Sequence, residues 1–357
     1  MTQLLTRTVV AVTVVAATLG VAACSGSGSP SSPGAMGRKQ VVLVTYDAYA
    51  LPKASAAAFT KQTGATVKVV ASGDSGAMLS KALLSAGSPE GDVLFGVDNL
   101  SASTALKNDL LVPFAPPGLA GVPDRYQLQG AAGKRLVPVD AGDVCVNVDA
   151  KWFADKGVAQ PVSLEDLTRP QYKDLLVVES PVTSSPGLAL LAGTVGRYGE
   201  EGAFDLWSRL KANGVRVRPS WDDAYFTDYT VSGGDRPLAL SYATSPPAEV
   251  VLGEGKRTEP QSTVLVDSCA AQVEYAGVLR GAPHERLAQQ LVAFMLSPEW
   301  QRELPLSNYV LPVVDGVPLP AEFQKWSVRA PSPMTAPAAQ VATRRDDWVE
   351  RWRNLFE

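Results

Sequence analysis

VVLVTYDAYALPKASAAAFTKQTGATVKVVASGDSGAMLSKALLSAGSPEGDVLFGV, residues 41–97, alternates short apolar runs with helical segments. Val41-Val42-Leu43-Val44-Thr45-Tyr46 is a β-branched run fit for a buried strand. Pro52 to Thr63 reads as a helix ending at Gly64, and Val67–Ala71 as a second strand. Gly76 to Ala86 carries Met78, Leu79, Leu83 and Leu84 at helical spacing, and Val93–Val97 is a third strand. This βαβαβ order predicts a parallel sheet with right-handed crossovers.

Outward from this unit the alternation continues. A strand-like run covers 136–148. Helices are expected near 163–167, 187–198 and 203–212, and strands near 175–178, 238–242, 264–266 and 271–276. The last part reads as helical over 283–296, 298–304 and 341–356. No flexible linker separates the two α/β halves, so the expected architecture is two doubly wound lobes joined by strands. Lobe one is placed at residues 39–140 plus 277–326, lobe two at 141–276, and a C-terminal helical segment at 327–357 is expected to pack against one lobe.

Towards the N-terminus, Arg7 precedes an apolar-to-small run from Val9 to Ala23. Fifteen residues fall short of the roughly 20 that span a bilayer, and the layout is that of a secretory signal peptide. The run closes on Val21-Ala22-Ala23-Cys24, which looks like a bacterial lipobox. The expectation is a lipoprotein signal peptide over 1–23, acylation at Cys24, and a Ser/Gly/Pro tether over 24–38. The protein is then exported and held on the outer face of the cytoplasmic membrane.

Composition narrows the function. The 357 residues carry 32 basic and 36 acidic side chains, a net charge of −4 that argues against nucleic acid as main partner. One histidine, His284, excludes any metal site that needs two imidazoles. Three cysteines are too few for a four-thiolate site. With Cys24 assigned to lipid, Cys145 and Cys269 form either a disulfide or two separate buried thiols. Gly73-Asp74-Ser75-Gly76 resembles the nucleophile segment of chymotrypsin-like proteases, but His284 follows the serine and the flanks are α/β, so that reading fails.

Candidate binding residues gather in the loops. Ser72-Gly73-Asp74-Ser75-Gly76 and Thr183-Ser184-Ser185-Pro186-Gly187 are small, hydroxyl-rich turns running into helix starts, suited either to an anion or to plain N-capping. Aromatic and acidic residues cluster at Tyr46-Asp47-Ala48-Tyr49, Asp98-Asn99, Trp221-Asp222-Asp223-Ala224-Tyr225, Ser241-Tyr242-Ala243-Thr244-Ser245-Pro246 and Asn308-Tyr309. Aromatic faces with nearby carboxylates suit a flat or cationic heterocycle.

Those segments, with Val137-Pro138-Val139-Asp140, Gln272-Val273-Glu274, Phe294–Pro298 and Trp348–Trp352, resemble the thiamine-binding substrate-binding lipoproteins of bacterial ABC transporters. The resemblance runs from about Val41 to Phe356 and implies the type 2 periplasmic-binding-protein fold. It implies capture of thiamine or thiamine phosphate between the lobes by a monomer, and delivery to permease and ATPase subunits. No enzyme chemistry, metal or cofactor is implied. Carried over, the family pattern puts Asp74, Ser75, Ser184 and Ser185 at the hydroxyethyl or phosphate end, and Trp221 and Tyr242–Pro246 around the rings. Tyr46, Asp47, Asp98, Tyr225, Asn308 and Tyr309 complete the expected site. Two departures stand out: no tryptophan occurs near Leu51–Lys53, and Tyr309 replaces a cleft-loop tryptophan. The alternatives are a same-fold binder of an iron chelate, polyamine or organophosphonate and, from another class, a lipid-anchored hydrolase.

Overall fold

The computed structural model describes residues 39–356. The expected signal peptide and tether, with Cys24, lie outside the described residues. Strands β1 (Lys39–Thr45), β2 (Ala65–Ala71) and β3 (Val93–Asp98) lie parallel, with α1 (Lys53–Thr63) and α2 (Ser75–Leu84) as crossovers. Every residue of β3 is buried, because layers pack on both faces of the sheet. Val93 and Phe95 join one apolar cluster, and Leu94 and Val97 join another on the opposite face.

The other strands are β4 (Val137–Ala141), β5 (Val144–Asp149), β6 (Leu176–Glu179), β7 (Arg216–Arg218), β8 (Leu238–Tyr242), β9 (Ser262–Ala270), β10 (Val273–Val278) and β11 (Leu311–Pro312). Two sheets result, ordered β11-β4-β10-β3-β1-β2 and β7-β6-β8-β5-β9. Both are mixed rather than parallel throughout. In the first, β10 inserts antiparallel between β3 and β4; in the second, β5 runs antiparallel to both β8 and β9. The reason is connectivity: the chain leaves the first sheet by β4 into β5 and returns by β9 into β10. The crossings fall at Gly142–Asp143 and Ala271–Gln272, so residues 273–276, assigned above to lobe two, pair in the first sheet.

The helices complete both layers. α3 (Ala102–Ala105) and α4 (Gly130–Gly133) are single turns in lobe one, and α5 (Ala150–Lys156) follows β5. α6 (Ser185–Ala212) spans the two helices expected at 187–198 and 203–212, with non-helical backbone at Gly199. α7 (Ser245–Leu252), α8 (Glu285–Phe294), α9 (Pro298–Ser307), α10 (Ala321–Trp326) and α11 (Ala338–Phe356) follow. The Ser297 hydroxyl accepts from the Trp300 amide and starts α9. α10, placed above in lobe one, packs on α7, and α11 packs on α6, so the chain crosses a third time, back to the second lobe. Trp348 and Trp352 of α11 are buried there, with Trp352 edge-on to Trp207. Cys145 of β5 and Cys269 of β9 are joined in a disulfide.

Candidate functional site

A cavity of about 270 Å³ opens between the two sheets. On the side of the first sheet, Gly96 (φ +100°) makes room for the Tyr46 ring: a Cβ there would stand 2.4 Å from Tyr46 Cδ1. Tyr46 thus lies against β3, with Tyr49 edge-on at 6.0 Å, and its hydroxyl donates to Glu274 Oε2 at 3.0 Å. Opposite it stands an aromatic wall. Trp221 stacks on Tyr225 with ring centroids 5.0 Å apart and planes 14° from parallel, and Tyr242 lies 6.5 Å from Trp221. The Trp221 indole N–H donates to Ser241 Oγ at 2.9 Å, which fixes the ring on β8.

Among the described lining residues the charged side chains are Asp74, Asp222 and Glu274; none is Lys, Arg or His. Burial raises the Asp74 carboxyl above its usual range, against hydrogen bonds that pull it down. Asp222 is raised by burial and then by the charges of Asp74, Asp47 and Asp223. Glu274 is pushed up to about 7, chiefly by burial. Such a site favours a cation and repels an anion.

The two halves touch directly at helix starts. The Gly76 amide donates to the Thr183 carbonyl at 2.9 Å, the Ser185 amide to Ser75 Oγ at 3.0 Å, and the Trp221 amide to Asp74 Oδ2 at 3.1 Å. Ser185 Oγ also donates to the Asp98 carboxylate. Of the two readings of the Ser72–Gly76 turn, the structure takes N-capping: Asp74 Oδ1 accepts from the Ser75 amide at 2.6 Å and occupies the start of α2.

Of the expected site residues, Tyr46, Asp74, Ser75, Ser185, Trp221, Tyr225, Tyr242, Thr244, Ser245, Asn308 and Tyr309 line the cavity. Five do not. Asp98 is buried below it, accepting from the Leu100 and Ser101 amides and the Ser101 hydroxyl. Asp47 accepts from the Gly73 amide at 2.8 Å and ties two loops together. Ser184 and Pro246 are buried at the starts of α6 and α7, and Ala243 packs beside the disulfide. Tyr309 adopts φ +59°, a left-handed conformation sparsely populated by aromatic residues and found at binding sites.

Residue-type reasoning left Glu274, Asp222, Pro186, Ala48, Ala50, Phe226, Ala248, Leu252, Ser307 and Val310 unassigned, and all line the cavity. Ala48, Asp222, Pro186 and Glu274 lie inside segments quoted above, and for the last three an acid or a proline beside the chosen residues is the available signal. The small and apolar walls carry no such mark.

Residues 91–329 match the model of a bacterial extracellular solute-binding protein family. The thiamine-binding periplasmic protein of Salmonella typhimurium is 29% identical over 324 residues, 89% of this chain and 94% of that protein. That of Escherichia coli is 30% identical over 297 residues, 83% of this chain and 86% of that protein. A solved periplasmic thiamin binding protein superposes with a TM-score of 0.76 at 26% identity, covering 91% of this chain and 98% of that one.

Proposed function

This chain belongs to the family of bacterial extracellular solute-binding proteins, and on that premise we propose that it captures thiamine between its two lobes and delivers it to an ABC permease. The fold is that of the type 2 periplasmic binding proteins. The observation that carries the ligand is the cavity lining: stacked aromatic rings, three carboxylates and no basic side chain among the described residues. Thiamine pairs a flat aminopyrimidine with a permanently cationic thiazolium, and a cation over an aromatic face gains about 0.5–2 kcal/mol. The same lining disfavours a phosphate ester, so free thiamine is the preferred form. The ligand is carried unchanged, without cofactor, by a monomeric protein anchored through acyl chains on Cys24.

Isothermal calorimetry with thiamine, thiamine monophosphate, a polyamine and ferric citrate tests this reading. Thiamine should bind most tightly and be recovered chemically intact. Absence of heat with thiamine, together with binding of another solute, overturns it. For the anchor, Cys24→Ala should move the exported protein from the detergent to the aqueous phase, and equal partitioning would exclude Cys24 as the attachment point.

A further inference from the structure

Three acids form a row across the first sheet. Glu274 of β10 lies in register with Asp140 of β4 on one side and with Asp98 of β3 on the other. All three are buried, with exposures of 1% for Asp140, 5% for Glu274 and 1% for Asp98. Their surroundings differ. Asp98 accepts from two amides and from the hydroxyls of Ser101 and Ser185. Glu274 accepts from Tyr46 and from Gln272, while Asp140 Oδ2 has no partner. Directly opposed like charges on adjacent strands repel, and two adjacent buried carboxyls titrate as a pair that retains one proton.

The groups facing the pair from the packed elements are Tyr46 and Tyr49 after β1, Asp98 of β3, Asp74 at the start of α2 and Tyr242 of β8. None supplies a positive charge. The row is also open to a ligand, because Glu274 lines the cavity. Thr244, 1% exposed, lines it too with a hydroxyl that has no partner.

We propose that Glu274 and Asp140 form a proton-for-cation exchange site, which holds one proton when the cavity is empty and releases it to solvent when a monocationic ligand enters. The charge balances: the empty pair carries one proton and a net charge of −1, and the filled site carries two carboxylates and the ligand's +1. This rests on the thiamine reading above and adds its regulation. Burial holds both carboxyls above their usual range, Glu274 at about 7. The ionised form binds the cation, so affinity rises with pH up to that value and levels above it. Below it, one exchanged proton weakens binding by about tenfold per pH unit.

Calorimetry of the mature protein with thiamine, in two buffers of different ionisation enthalpy, counts the protons released. About one proton should be released below neutral pH, falling towards zero in mild alkali. Glu274→Gln should release almost none and lose the pH slope. Asp140→Asn relieves Glu274 of its like-charged neighbour, so the slope should move to lower pH. Tight wild-type binding with no buffer-dependent heat overturns the exchange and leaves the thiamine reading standing. A Glu274→Gln variant with the wild-type proton count does the same. The ligand-free protein offers a separate reading: an infrared carboxylic-acid band at neutral pH, lost in Glu274→Gln. Its absence overturns the exchange whether or not thiamine binds.

Discussion

Trp221 is the residue on which the site most depends, because its ring forms one wall while its indole and amide N–H groups hold β8 and Asp74. Truncating a packed aromatic at the centre of a binding site costs about 2 kcal/mol or more, roughly thirtyfold in affinity. Trp221→Ala and Tyr242→Ala should each weaken thiamine binding by that factor in calorimetric titration, whereas Trp326→Ala, which removes no lining side chain, should leave it within about twofold. A large effect at Trp326 alone would relocate the site. Away from the cavity, Asp228 is nearly buried and accepts from both Arg216 and Arg218. The bond from Arg218 is the main cause of its lowered carboxyl pKa. A depressed acid stabilises the fold above its unfolded pKa and loses that contribution as pH falls through the folded one. Asp228→Asn should therefore lower stability in urea at neutral pH by about 1.5–3 kcal/mol, and the gap to wild type should narrow in acid. An unchanged gap would remove the ion pairs from the account.

At the scale of elements, the starts of α2 and α6 do the joining. Gly76 sits where a Cβ would stand 2.8 Å from the Thr183 carbonyl oxygen, a backbone atom that cannot swing away. Gly76 does not itself line the cavity, so Gly76→Ala tests closure without removing a lining side chain. Forced overpacking costs about 1–3 kcal/mol, which predicts roughly 5- to 150-fold weaker binding, expressed mainly as faster release. Small-angle scattering of the saturated variant should show a more open envelope than wild type. An unchanged dissociation rate would mean that this contact does not bear on closure. The same elements show what sequence patterning reads well. β8 matches its expected bounds, and α1 ends at Gly64 as expected, with φ +74°. α7 and α10 lie outside the expected helices; Pro246-Pro247 and Pro320 stand at their starts, where proline is tolerated because the first amides of a helix have no intrahelical acceptor.

Across the whole molecule, the Cys145–Cys269 disulfide ties β5 to β9, strands 124 residues apart in sequence at the bridge. Cross-links over long loops contribute about 2–4 kcal/mol. Reduction, or the double change Cys145→Ser with Cys269→Ser, should lower the melting temperature without abolishing thiamine binding, since neither cysteine lines the cavity. A melting temperature insensitive to reduction would show that the bridge adds nothing to stability. Ligand saturation should act in the opposite sense, raising stability by about 2.7 kcal/mol at a hundredfold excess over Kd.

The alternation of apolar runs and helical segments was enough to specify an α/β chain, because side-chain periodicity is a local property of strands and helices. It was also enough to mark the polar and aromatic loops from which the cavity is built. It did not reveal the direction of β10, whose antiparallel insertion depends on where the chain returns from β9. Nor did it separate the Cys145–Cys269 bridge from two free thiols, since pairing follows from strand register. Glu274 shows the limit most clearly. As a residue between Val273 and Tyr275 it is an ordinary strand acid; only the register that sets it between Asp98 and Asp140, with the Tyr46 hydroxyl on it, makes it one of three buried acids in a row. Cavity walls such as Ala48, Phe226 and Val310 are likewise a property of two lobes brought together, and no local pattern encodes that approach.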